Sequence, residues 1–348
     1  MNKKIQFKSC GCVFPTTNGH INYDIDTANI NLECKETWNL IGSGNTKGCF
    51  QLESRLGQMM SKKLKPQNIE QLAALISIMR PGCLEAYRDG KSVSDHYIDK
   101  KNGSESVDYF HPSLEPVLKT TYGEMIYQEQ AMEIARVIAG FNLEDADVLR
   151  KAIGKKKVDL MTKVKKSFLL GAEKAHIVSK DIAEEIFGWI EKSQRYSFNK
   201  SHAISYALNA YLSAYSKCHF PAYFFASYLK FAPDKIDPMK EIYELINNCR
   251  EMDIEVYKPD FRKLSRTFCI DNGKDIFFGL TNIKGAGNSV YNKLEGLVEN
   301  LDIQNMSYLQ IILNILININ QTASKAMISV GCFDYLGVGR KEMLFHFG

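Results

Sequence analysis

From Ser201 to about Cys218 the sequence keeps a helical spacing, with Ala207, Tyr211 and Tyr215 on one face and Ser201 as an N-cap candidate before the Ala203–Ile204 apolar step. The same spacing recurs along most of the chain, which restricts the fold to packed helices. Ile69, Leu72, Leu75, Ile76 and Met79 trace an amphipathic helix over 68–79. It should end at Arg80-Pro81-Gly82, where Pro81 cannot continue the helix and Gly82 releases the chain into a turn. Helical patterns follow over 122–138, 142–157, 163–189, 222–231 and 239–252, and another begins at Lys35. Strand signals are short: Ile254–Tyr257 and Phe277–Leu280. The expected class is mainly α. Residues 1–35, rich in Asn and Thr, read as a poorly structured or connecting segment.

A chain of 348 residues has room for two or three domains and an ample core. Hydrophobic content of 45% and charged content of 24% match an ordinary water-soluble protein. No apolar run reaches 18 residues and the N-terminus MNKKIQFKSCG has no signal-peptide pattern, so a cytoplasmic location and no membrane partner are expected. The nine cysteines are scattered and read as reduced thiols. Cys10 and Cys12 stand too close for the usual zinc half-site, and no second pair accompanies them, so no metal is expected.

The densest polar cluster is RYSFNKSHAISYA, Arg195–Ala207. Asn199, Lys200, Ser201 and His202 fall at or beside a helix start, where unpaired backbone N–H groups and a partial positive charge meet an ammonium and an imidazole. Such a place suits a phosphate; the plainer reading is a capped helix with a solvated lysine. Lys155, Lys156 and Lys157 form a basic run after an acidic helix start, as does Lys163, Lys165 and Lys166, and such runs are usually solvated helix faces.

Taken together, these segments resemble the bacterial replicative DNA polymerase III alpha subunits, the C family of DNA polymerases. The resemblance rests on FNKSHA within the polar cluster and on six further blocks in order: GCFQLES (48–54), LAALISIMRPG (72–82), TYGEMIYQEQAM (121–132), AGFNLEDADVLRKAIGKKK (139–157), FFGLTNIKGAG (277–287) and GCFDYLGVGR (331–340). It implies a helical fingers domain over 36–255 and a helix-hairpin-helix DNA-binding region over 256–348, after a palm-connecting segment over 1–35. Arg80 then becomes a candidate for the triphosphate of the incoming nucleotide, together with Asn199, Lys200, Ser201 and His202; a guanidinium can grip two phosphate oxygens at once. Gln51 and Glu53 lie near a palm–fingers junction, and the polar patch Gln128, Glu129 and Gln130 near the nucleotide cleft. Lys155, Lys156 and Lys157 are implied to contact the DNA backbone. Lys284, Gly285 and Gly287 form the hairpin whose backbone approaches a phosphate.

Family members hold two magnesium ions on palm aspartates, two of them as D-x-D. Asp24-Ile25-Asp26 has that spacing, but the surrounding family pattern is absent and the pair is read as a decoy. The chain alone is therefore expected to bind no cofactor and not to polymerise DNA, although its family is a DNA-directed DNA polymerase, a nucleotidyltransferase. The leading expectation is a fingers fragment, split or truncated, that binds dNTP and template-primer DNA beside a separately supplied palm, with Mg2+ in the assembled enzyme. The alternative is a non-catalytic DNA-binding protein derived from the same fold.

Overall fold

The computed structural model describes residues 4–6, 10–17, 20–21, 30–155, 158–193 and 195–346. They form two compact units, Met1–Tyr215 and Ser216–Gly348.

The first unit opens with a three-stranded antiparallel sheet of β1 (Lys4–Gln6), β2 (Val13–Thr17) and β3 (His20–Ile21), in the order β1-β2-β3. These short strands stand within the segment expected to be poorly structured or palm-connecting, of which residues 1–3, 7–9, 18–19 and 22–29 lie outside the described residues. The signal was short: Val13 is exposed and Phe14 buried, an alternation too brief to stand out among polar neighbours. Helices α1 (Lys35–Ser43), α2 (Arg55–Leu64) and α3 (Ile69–Ile78) follow. The Asn68 side chain caps α3 by accepting from the Gln71 N–H, and the run from Leu72 to Ile78 is buried on every side. Pro81 does not end the region in a turn as expected. Its fixed φ and missing N–H suit the first position of a new helix, and α4 (Pro81–Leu84) starts there.

A hairpin of β4 (Tyr87–Arg88) and β5 (Lys91–Ser92) leads to α5 (Val93–Asn102) and α6 (Glu115–Leu118). The sequence here, with Gly90, Gly103, Pro112 and Pro116, gives mostly loop signals. A buried ion cluster organises it: Glu124, 1% exposed, takes two hydrogen bonds from Arg88 at 3.2 and 2.6 Å and lies 3.1 Å from the Lys100 ammonium. Four helices, α7 (Gln128–Ala139), α8 (Leu143–Lys155), α9 (Val158–Ala175) and α10 (Lys180–Ser193), then enclose one core around Ile134, Ile138, Leu149, Phe168, Ile186 and Phe187. The long helix α11 (Lys200–His219) carries Ala207, Tyr211 and Tyr215 fully inward, as their spacing requires.

The second unit continues with α12 (Pro221–Phe231) and α13 (Pro238–Glu251), packed on a small sheet of β6 (Val256–Tyr257), β7 (Cys269–Asp271) and β8 (Asp275–Phe277) in the order β6-β8-β7. Phe225, Leu229, Leu245 and Ile276 form that core. A second core, around Leu280, Ile283, Leu294, Ile311, Met327 and Phe333, joins α14 (Asn288–Val298), α15 (Tyr308–Asn314), α16 (Gln321–Val330) and α17 (Arg340–Phe345). No described helix is long and apolar enough to cross a membrane.

Candidate functional site

The polar loop before α11 is sewn to the start of α7. Phe198 N–H donates to the Ile126 carbonyl at 2.9 Å and the Phe198 carbonyl accepts from Gln128 N–H at 2.9 Å, a one-residue parallel bridge opposite Tyr127. The Arg80-Pro81-Gly82 corner lies against the other side of that loop. A Cβ on Gly82 would stand 2.9 Å from the Arg195 carbonyl oxygen and 3.2 Å from Tyr196 Cα, so only glycine lets the two backbones come this close. Next to it the Cys83 thiol, 3.8 Å from the Tyr196 carbonyl, is pushed up to about 12 by burial and stays protonated.

At the helix start the capping residue is Asn199, two residues earlier than the expected Ser201. Its Oδ1 accepts from the His202 N–H at 2.8 Å, while the exposed Ser201 occupies the first turn. Asn199 also donates from Nδ2 to Glu129 Oε1 at 3.0 Å, and Glu129 Oε2 accepts the Lys200 N–H at 2.9 Å. A carboxylate from α7 therefore sits where the backbone donors and the helix dipole favour negative charge. This changes the chemistry expected of the cluster: its cationic side chains, more than its backbone, are what it presents to a further anion.

Those side chains gather around two rings. Exposed Arg80 lays its guanidinium 3.6 Å above the Phe198 ring. The Lys200 ammonium lies 5.8 Å from the Tyr127 ring centre and 3.5 Å from a Glu70 carboxylate oxygen. Exposed His202 has its ring 5.5 Å from Phe198 and 4.0 Å from Tyr206. Since Phe198 and Tyr127 pair through the backbone bridge, Arg80, Lys200 and His202 belong to one neighbourhood. Sequence reasoning missed Glu70 and Phe198 as its supports; Phe198 stands inside a matched block, whereas Glu70 has the look of an ordinary first-turn acid.

The block around Gln51 and Glu53 runs beside the same helix. Phe50 N–H donates to Ser213 Oγ at 2.9 Å and its ring is 5.2 Å from Tyr206. Gln51 is exposed in a left-handed conformation (φ 62°), and Glu53, half-buried, accepts through its carbonyl from Gln58 Nε2 at 2.7 Å. Gln128 is half-buried. Gln130 departs from expectation: it is 6% exposed, its Oε1 accepts from the Ile126 and Tyr127 N–H groups at 3.0 Å, and its Nε2 donates to Thr121 Oγ1 at 2.6 Å. It holds the helix start rather than lining a cleft, because a buried amide must spend its donors and acceptor on nearby partners.

Of the basic run, Lys155 closes α8, and Lys156 and Lys157 lie outside the described residues, as do Asp24 and Asp26. Among the described residues no trio of carboxylates converges as a magnesium site would require. In the second unit, exposed Lys284 and Gly285 (φ 101°) precede Gly287, which stands at the N-cap of α14 with no side-chain cap. The arm before this loop is a single 3-10 turn, Leu280–Asn282, and the expected strand ends at Phe277.

Residues 12–176 match the family described as the bacterial DNA polymerase III alpha subunit finger domain. The chain is 36% identical over 331 residues to DNA polymerase III subunit alpha of Aquifex aeolicus, covering 92% of this chain and 27% of that protein. The same subunit of Borreliella burgdorferi is 36% identical (93% and 27%), and that of Escherichia coli strain K12 is 33% identical (93% and 28%). The chain thus spans about a quarter of the length of these relatives. By its finger-domain match over residues 12–176 and its likeness over nearly its whole length, the chain belongs to the bacterial DNA polymerase III alpha family.

Proposed function

We propose that this chain serves template-directed DNA replication as the fingers and adjoining DNA-contact portion of a polymerase III alpha subunit. It presents incoming dNTP and template-primer DNA to a palm that carries the metal-holding carboxylates. The observation that supports this reading best is the convergence of Arg80, Lys200 and His202 about the Phe198–Tyr127 bridge. Three groups able to carry positive charge on a braced loop suit a polyphosphate, whose charge grows on the leaving pyrophosphate as the bond to the α-phosphorus breaks. Magnesium, bound by the palm, would polarise that phosphorus and activate the primer hydroxyl. Lys155, Lys156 and Lys157 and the Lys284–Gly287 loop hold the duplex through its phosphates, giving affinity without sequence preference.

One observation favours the alternative of a non-catalytic DNA-binding protein: Glu129 already fills the backbone anion position at α11. Primer extension separates the two. With Mg2+, dNTPs and a palm-bearing polypeptide, the chain should extend a primer, and Arg80→Ala should lower the rate by about a hundredfold, the scale for losing one strong charge contact in a transition state. DNA binding that persists with no extension under any palm supplied would favour the alternative.

A further inference from the structure

Three thiols far apart in sequence meet in the first unit. Cys10 and Cys12 stand at the entry to β2, and Cys34 is the N-cap residue of α1; their sulfur atoms all lie within 4.8 Å of one another. The sequence offered only the C-x-C pair, too tight for the usual zinc half-site. The fold supplies the third sulfur by returning the chain to the same place 22 residues after Cys12. Gly11 makes the tight pair possible, since its φ of 71° turns both neighbours toward one side, a conformation costly for other residues.

The surroundings are those of a built site rather than a chance cluster. Cys12 and Cys34 are 2% and 1% exposed, and Cys10 is half-buried. Asn31 donates from Nδ2 to Cys12 Sγ at 3.8 Å, and its own carbonyl is held by Tyr211 OH at 2.7 Å and by Cys34 N–H at 3.3 Å. An amide N–H aimed at sulfur is what stabilises a metal-bound thiolate. Phe14, two residues after Cys12, Trp38, one turn after Cys34, and Tyr211 are all less than a tenth exposed, and the Trp38 and Tyr211 rings lie 4.7 Å apart. No disulfide joins these cysteines. Tetrahedral Zn–S bonds of about 2.3 Å put sulfurs about 3.8 Å apart, which small rotations of these side chains reach.

The geometry points to a structural zinc site on Cys10, Cys12 and Cys34, with one nitrogen or oxygen donor completing the tetrahedron. Soft sulfur ligands, two of them buried, select Zn2+ over the hard cations that oxygen ligands hold. Each thiol releases its proton to solvent as its sulfur binds, and the ion cross-links the β1–β2 hairpin to the start of α1. The proposed zinc shares no ligand with the Arg80–Lys200 cluster, and its test does not depend on the proposed role in replication.

The test uses the full chain, without a polyhistidine tag, purified in reductant and dialysed without chelator. Mass spectrometry should find close to one zinc per chain, and X-ray absorption should find three sulfurs and one lighter atom. After chelation, added Co2+ should give a thiolate charge-transfer band that Zn2+ abolishes. Cys10→Ser and Cys34→Ser should lose that band, Asn31→Ala should weaken zinc binding about tenfold or more, and Cys269→Ser, in the second unit, should leave both readouts unchanged. A wild-type chain that carries no zinc and gives no band with Co2+ would overturn the site. So would a band that survives Cys34→Ser. Should the serine variants fail to fold, alkylation of the wild type decides: Cys10, Cys12 and Cys34 modified equally fast with and without Zn2+ also overturn it.

Discussion

Two helix starts in this molecule looked alike in sequence, and their structures differ in what fills them. At α11, in the first unit, Asn199 caps the helix from within and Glu129 reaches over from α7 to take the Lys200 N–H. At α14, in the second unit, the N-cap is Gly287 and no side chain caps the helix. A helix N-terminus attracts anions in either case. The first has been given a carboxylate of its own and offers its cationic side chains outward. The second leaves its positive end to whatever anion arrives.

That contrast can be broken first at Glu129. Glu129→Ala removes the acceptor of two hydrogen bonds to a charged group, and the chain should lose about 3 kcal/mol by urea denaturation. A change below about 0.5 kcal/mol would mean that Glu129 does not hold the α11 start. Next, Lys200→Ala should weaken dNTP binding by the assembled polymerase about tenfold, read by equilibrium titration, while stability falls by less than about 1 kcal/mol because its ion pair with Glu70 is partly solvated. Equal dNTP affinity would return Lys200 to an ordinary surface role. At the other helix, Gly287→Asp supplies the missing carboxylate. The backbone there is extended (φ −78°, ψ −171°) and no atom lies within 4 Å of an added Cβ, so the substitution meets no obstacle. It should stabilise the chain by about 0.5–1 kcal/mol and weaken DNA binding about fivefold; unchanged DNA affinity would remove this loop from the interface.

The smallest effect concerns acid. In the second unit the Arg340 guanidinium, with Lys258 beside it, holds the Asp334 carboxyl well below the usual carboxylate range. A carboxylate whose native pKa lies below its unfolded value adds stability above about pH 3.9 and loses it as pH falls through the native value. Denaturation midpoints of Asp334→Asn should therefore decline less steeply than wild type below about pH 4, and parallel declines would dismiss the pairing.

The helices were legible because apolar spacing speaks directly to burial. The helix expected over 68–79 is α3, Ile69–Ile78, and the one expected over 222–231 is α12, Pro221–Phe231. What escaped was burial of charge. Lys217, fully buried with its ammonium 2.6 Å from Asn248 Oδ1, sits on a helix where lysine reads as solvated, and Glu124 and Lys100 are hidden the same way. Such residues become tolerable only through partners distant in sequence, which spacing within one segment cannot reveal. The site divided along the same line. Arg80, Lys200 and His202, which the fold brings into one neighbourhood, sit in dense polar or turn motifs that local reading singles out. Gln130 was misplaced because its partners are backbone groups, and Cys34 went unnoticed beside Cys10 and Cys12 because a gap of 22 residues carries no local signal.

The Arg80 guanidinium carbon lies 3.6 Å from the centre of the Phe198 ring, and a cation held over a ring is attracted to the π face without spending its N–H groups as hydrogen-bond donors. The aromatic ring works as a shelf on which a planar, five-toothed fork can rest. A lysine would keep the charge but rest on the shelf as a ball, without orientation. Selectivity for a forked oxygen pattern at this corner would then vanish even where attraction to negative charge survived.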